Sequence, residues 1–211
     1  MSFAGFWILN IHPTLGRKQE SEGLGDLHFI GIYRILTQQD DFLGISAGVK
    51  FPTGSTNELD PYGERFEPEL QPGSGSYDYP VGIVYRYKIR PVVLSGNASY
   101  VIKTRGSQQF EHGDLLFVSM SADYTLNPRN KSLRVKVGLN MNVQNAQKDK
   151  SQGRIDDDSG ETSIFLGPGV SVQAHDHISI FGNFLLPVFQ DTGGVHQKLL
   201  NNWTAGAKIV W

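Results

Sequence analysis

Between Ser132 and Gln144 the chain reads SLRVKVGLNMNVQ, and its apolar residues recur at every second position. Leu133, Val135, Val137, Leu139, Met141 and Val143 fall on one side. Arg134, Lys136, Gly138, Asn140 and Asn142 fall on the other. A period of two is the mark of a strand with one oily face and one wet face. Nine further segments share the pattern or are compatible with it: residues 3–12, 26–36, 42–51, 76–89, 94–103, 115–127, 162–174, 177–189 and 199–211. The ten candidate strands run to roughly 10 to 14 residues, against the usual five or six.

The connectors alternate too. TQQDD, IRP, NPRNK and AHDH are tight, whereas 13–25, 53–75, 104–114, 145–161 and 190–198 are long. In a meander, alternate connectors share an end, so one end carries the long loops and the other the turns. Long strands, dyad alternation and loop asymmetry together describe an outer-membrane barrel whose oily face meets lipid and whose wet face lines a lumen. Closure of such a barrel pairs every backbone N–H and C=O, which lipid cannot do. Aromatics near strand ends, such as Tyr77, Tyr79, Tyr85, Tyr87, Trp203 and Trp211, suit interfacial girdles. The competing soluble sandwich or lipocalin-like barrel has shorter strands or more heavily charged outer faces.

Composition agrees. Only 39% of residues are hydrophobic, yet 12 Phe, 8 Tyr and 3 Trp are present, as suits apolar side chains facing one way. A formal charge of -2 carries no nucleic-acid signature. Without cysteine, disulfides and thiolate metal sites are excluded. No apolar run reaches the length of a membrane helix.

The phrases GLGDLHFIGIYRI, GVKFPTG, ELQPGSGSYDYPVGIVYRY, HGDLLFVSMSADYTL, FLGPGVSV and FLLPVFQDTGG resemble those of the outer-membrane transporter-like family called MetA-pathway of phenol degradation, over about residues 23 to 211. The resemblance implies a Gram-negative outer-membrane barrel passing small, aromatic or apolar compounds, with no catalytic residues. Members carry a signal peptide and more strand sequence ahead of the part matching residue 1. The expectation is thus one domain over 1–211 with ten strands visible, and about twelve in the full-length protein.

Lys50, Arg86, Lys88, Lys103, Asp123, Arg134, Lys136, Asn140 and Lys208 fall on wet faces and are the candidate lumen lining. They either plug the barrel as salt bridges or line a pore and set its selectivity. Trp203, Ile209 and Trp211 on the last strand resemble the C-terminal signal read by the barrel-assembly machinery. His175 and His177 around Asp176 read better as a polar turn than as metal ligands, and QPGSGS as a turn rather than a phosphate loop. The acids Asp156, Asp157, Asp158 and Glu161 read as a solvated loop ahead of a weak divalent site at the lipopolysaccharide surface. No cofactor is expected. Two other function classes stay open. One is a rim hydrolase using His112, Asp114, Asp191 or His196, and the other is a structural or adhesive barrel.

Overall fold

The computed structural model describes residues 4–11, 23–38, 41–60, 62–127, 133–174, 178–193 and 198–210, with backbone alone for 4–11 and 208–210. Thirteen strands follow in chain order: β1 (Ala4–Ile11), β2 (Leu27–Gln38), β3 (Asp41–Phe51), β4 (Tyr79–Ile89), β5 (Val92–Ile102), β6 (Phe110–Glu111), β7 (Leu115–Thr125), β8 (Leu133–Ala146), β9 (Lys150–Ser151), β10 (Arg154–Ile155), β11 (Glu161–Ala174), β12 (Ile178–Thr192) and β13 (Asn202–Val210). The ten long ones form a single antiparallel sheet ordered β1-β13-β12-β11-β8-β7-β5-β4-β3-β2. This is the expected up-and-down wall. Its first and last strands in the chain lie side by side, Ala4 opposite Val210 and Ile11 opposite Trp203. The sheet's two edges are β1 and β2. Alternation around the sheet makes them antiparallel to each other, the direction a direct pairing needs.

Side-chain exposure inverts the soluble rule. The burial of β4 alternates residue by residue. Its exposed positions are Tyr79, Val81, Ile83, Tyr85, Tyr87 and Ile89. The buried positions elsewhere include Lys50, Ser76, Asp78, Ser159 and Ser163. An apolar belt of this extent on the outer surface is far beyond what water tolerates. No described helix is long and apolar enough to cross a membrane, so any crossing is made by strands. Eleven residues such as β4 extend about 36 Å, which after tilting spans the apolar band of an outer membrane. Phe51 meets Phe29 and Tyr77 edge to face at 5.8 and 5.9 Å at the loop end, and Tyr85 stacks beside Tyr87 toward the turns. These rings occupy the two interfacial levels.

Register fixes which face each residue takes. Ile83 pairs with Ile45 and Ala98, all outward. Ile83→Lys is therefore expected to cost about 2 to 4 kcal/mol of folding free energy in lipid vesicles. The inward neighbour Val84→Lys should cost clearly less. Equal costs in urea titrations would contradict the assignment of faces.

A second, three-stranded sheet, β10-β9-β6, sits among the long loops. Two-residue strands carry no periodicity, so the sequence showed only loops there.

Candidate functional site: a lumen with two charged ends

The inward face collects side chains from β2 to β5, β7, β8 and β11 to β13, and its charges separate into two groups. The first lies at the loop end. Lys50 is the penultimate residue of β3, and its backbone N–H donates to the Asp78 carbonyl at 2.8 Å. Lys50 Nζ reaches Asp78 Oδ2 at 2.6 Å and Asp26 Oδ2 at 3.2 Å, and donates to Ser76 Oγ at 3.1 Å and to Ser74 Oγ. Lys103, just past the end of β5, meets Asp78 at 3.0 Å. Asp26 accepts from the amides of Gly54 and Ser74 and from the Ser74 hydroxyl. Two lysines thus face two carboxylates, with Asp78 0% and Lys50 5% exposed.

This latch joins residues far apart in the chain. It pins the 52–78 loop across the inner wall of β2–β5. Gly54 and Gly73 touch backbone to backbone, where any Cβ would collide, so both positions need glycine. Further loops pack on: Gln108 donates to the Phe66 carbonyl at 3.0 Å, and Lys150 pairs with Glu111 at 2.7 Å across β9 and β6. Phe66 and Phe110 are buried beneath them. Inward-facing Phe165 and Leu185 are buried as well, so the loop-end lumen is filled on that side too.

Burial works against ionising Asp26. The Ser74 and Gly54 amides, the Ser74 hydroxyl and Lys50 outweigh it and hold its carboxyl below the ordinary carboxylate range. For Asp78 burial again opposes the charge, and Lys50, Lys103 and Ser76 outweigh it. Depressed native values mean that both groups stabilise the latch above the unfolded value. That stability is lost as pH falls below about 4 toward the native values. Limited proteolysis within 52–78 is expected to stay slow at neutral pH and to speed up only below that point.

The second group lies toward the turns. Arg86 and Lys88 on β4, Asp123 on β7, and Arg134 and Lys136 on β8 all point inward by register. Lys136 lies within electrostatic reach of the other four. Asp123 accepts from Ser121 Oγ at 3.1 Å and leans across Gly138, where a Cβ would collide with it. Arg86 Nε is buried with no hydrogen-bond partner among the described residues. Arg34 lies over the Phe42 ring at 4.8 Å on the adjoining wall.

The sequence candidates therefore divide by position. Lys50 and Lys103 belong to the loop-end salt-bridge network. Arg86, Lys88, Asp123, Arg134 and Lys136 gather at the turn end. Asn140, inward between Ser121 and Gly167, has a buried amide nitrogen without a partner among the described residues. In the register Lys208 lies opposite Ser179 and Ile209 opposite Ile178, and Trp203, opposite Phe184, faces outward. Trp211, His175, Asp176, His177 and His196 lie outside the described residues.

Asp26, Ser74 and Ser76 were not candidates from the sequence. The only signal was that GLGD and GSGSYD are among the family phrases. The serine hydroxyls of QPGSGS, read as a turn, also serve as latch partners.

The rim-hydrolase residues sit apart in function. Asp114 is occupied by Tyr100 Oη at 2.8 Å and the Lys103 amide at 2.8 Å. His112 packs on Phe110 with Asp149 at 4.0 Å, and burial holds its imidazole below the usual value against that carboxylate. Asp191 pairs in register with Thr162 on another strand pair. In the acidic loop, Asp157 is paired with Lys148 at 2.6 Å, which lowers its pKa. No group of three metal-ligating side chains occurs among the described residues.

Among solved structures, one similar chain is the crystal structure of the COG4313 outer membrane channel from Pseudomonas putida F1. It matches with a TM-score of 0.69 at 16% identity, over 90% of this chain and 68% of that one. No curated protein matches the chain. Residues 5–188 match the family described as putative MetA-pathway of phenol degradation. With its antiparallel barrel wall, outward apolar belt and charged lumen, this chain belongs to that outer-membrane family.

Proposed function

We propose that the protein is a passive outer-membrane channel for small solutes, and that its turn-end cations favour anions and solutes bearing an acceptor group such as a phenolate or carboxylate. The observation that carries this reading is the imbalance on the inner wall. Lys136 has three cations, Arg86, Lys88 and Arg134, and one acid, Asp123, within electrostatic reach, while the Asp41 carboxylate accepts from the Lys88 amide. Rings of like charge set the selectivity of a water-filled pore.

The similarity to a protein described as an outer membrane channel supports passage across the membrane. The family's link to phenol degradation makes acidic aromatics the solutes of first interest. The bilayer, lipopolysaccharide and the assembly machinery are the other partners this reading requires, the last reading the end of β13. The reading assigns no catalytic step.

The test is conductance of the full chain in planar bilayers under a salt gradient. A reversal potential on the anion side is expected, together with faster liposome entry of benzoate than of benzylamine. Absence of conductance, or cation preference, would refute the proposal.

A further inference from the structure

Phe181 is a large apolar ring set among polar residues on the inner wall. Register pairs Ser171 with Lys136 on β8 and with Phe181 on β12, and Phe181 with Gly206 on β13. Lys136, Ser171, Phe181 and Gly206 therefore form one row across four strands. All four lie on the inward face, in the turn-side half of their strands. The next inward residues along β12 are Ser179 and Asn183.

The neighbours in the row leave the ring open to the lumen. Serine on one side and glycine on the other are too small to cover it, and Phe181 stays half-buried. Phe165, also inward, is 1% exposed, and Phe42 lies under Arg34. A single exposed apolar side chain is ordinary by itself. What marks this one is the ammonium at the other end of its row.

Lys136 and Phe181 are two strand spacings apart, about 10 Å between backbones. Between them Ser171 offers a hydroxyl and little bulk. Asn140 and Asn183 extend over Gly169 and bound the row on its loop side. Arg86, Lys88 and Arg134 add positive potential around Lys136. Cation, hydroxyl and ring in this order match a flat aromatic acid, with its carboxylate at Lys136 and Ser171 and its ring on Phe181. An aliphatic acid would use the first part of the row only, and a neutral aromatic the second only.

We infer that Lys136, Ser171 and Phe181 form a binding site for an aromatic carboxylate inside the lumen, with Phe181 the residue that separates aromatic from aliphatic acids. The inference deepens the channel reading and takes from it an accessible lumen.

The test is equilibrium binding to the full chain refolded in detergent, read by the fluorine NMR line width of 4-fluorobenzoate and, separately, of fluoroacetate. Broadening that saturates and is reversed by excess benzoate is expected, with 4-fluorobenzoate bound about tenfold more tightly, the scale of one ring contact with its buried area. Phe181→Ala should remove most of that preference, and Phe181→Trp should keep it. Ser171→Leu fills the space between ammonium and ring and should weaken 4-fluorobenzoate binding, which serves should Phe181→Ala fail to fold by its gel shift on heating. No saturable binding, equal affinity for the two acids, or undiminished binding of 4-fluorobenzoate in the folded variants would overturn the inference. Binding is read without current, so a chain that shows the preference but does not conduct supports the site and refutes the channel. An anion-selective channel without the preference does the reverse.

Discussion

Asp78→Ala is expected to destabilise the barrel by about 3 to 5 kcal/mol, the usual cost of orphaning a buried charge. The carboxylate is fully buried and serves Lys50, Lys103, the Ser76 hydroxyl and the Thr104 amide. Its removal leaves Lys50 buried with Asp26 as its one remaining carboxylate. The double change Asp78→Leu with Lys50→Met should recover much of the loss, because Asp26 keeps the Gly54 and Ser74 amides and Lys103 can turn to water. Urea midpoints of refolded protein measure both effects. Single-channel conductance should rise in Asp78→Ala alone, as the 52–78 loop loses its hold on the inner wall. Near-native stability of Asp78→Ala would mean that water already reaches the latch.

Lys136→Glu is expected to move the reversal potential strongly toward cations and to leave assembly intact. The change removes one of four cations at the turn end and adds a second acid beside Asp123. Lys136 stands inward, between Thr125 and Ser171, so a carboxylate there still faces the lumen. Lys88→Glu lies in the same neighbourhood and should act in the same direction. Lys103→Glu, in the loop-end network, should instead act through stability, since it sets a second carboxylate against Asp78. Unchanged selectivity in a conducting Lys136→Glu channel would return Lys136 to a structural, paired role.

These variants separate what is local from what is not. The alternation of Leu133 to Val143 follows from strand geometry alone. It therefore predicts the wall, its outward face and the inward placement of Arg134 and Lys136 without any knowledge of neighbours. The long and short connectors likewise place the loops and turns at opposite ends, because a meander has no other way to return. Each of the ten expected strands has its counterpart in the wall, with ends shifted by a few residues. The β4 strand begins at Tyr79 rather than 76, because Asp78 is drawn into the latch.

The latch itself depends on contacts 24 to 48 residues apart, among them Lys50 with Ser74 and Asp26 with Ser74. No periodicity records such contacts. A lysine on a wet face reads the same in sequence whether it meets solvent or two carboxylates, and only the folded loop 52–78 decides. The packing of Gly182 beside Ala205 is of the same kind. Sequence sets glycine, alanine, proline and tryptophan on one oily face, but register alone brings Gly182 next to Ala205 and Phe184 next to Trp203. The sequence by itself determined the periodic wall, because a strand's two faces are a property of its own backbone. The tertiary structure decided which charges are neutralised and which side chains meet across the wall, because both depend on which strands and loops become neighbours.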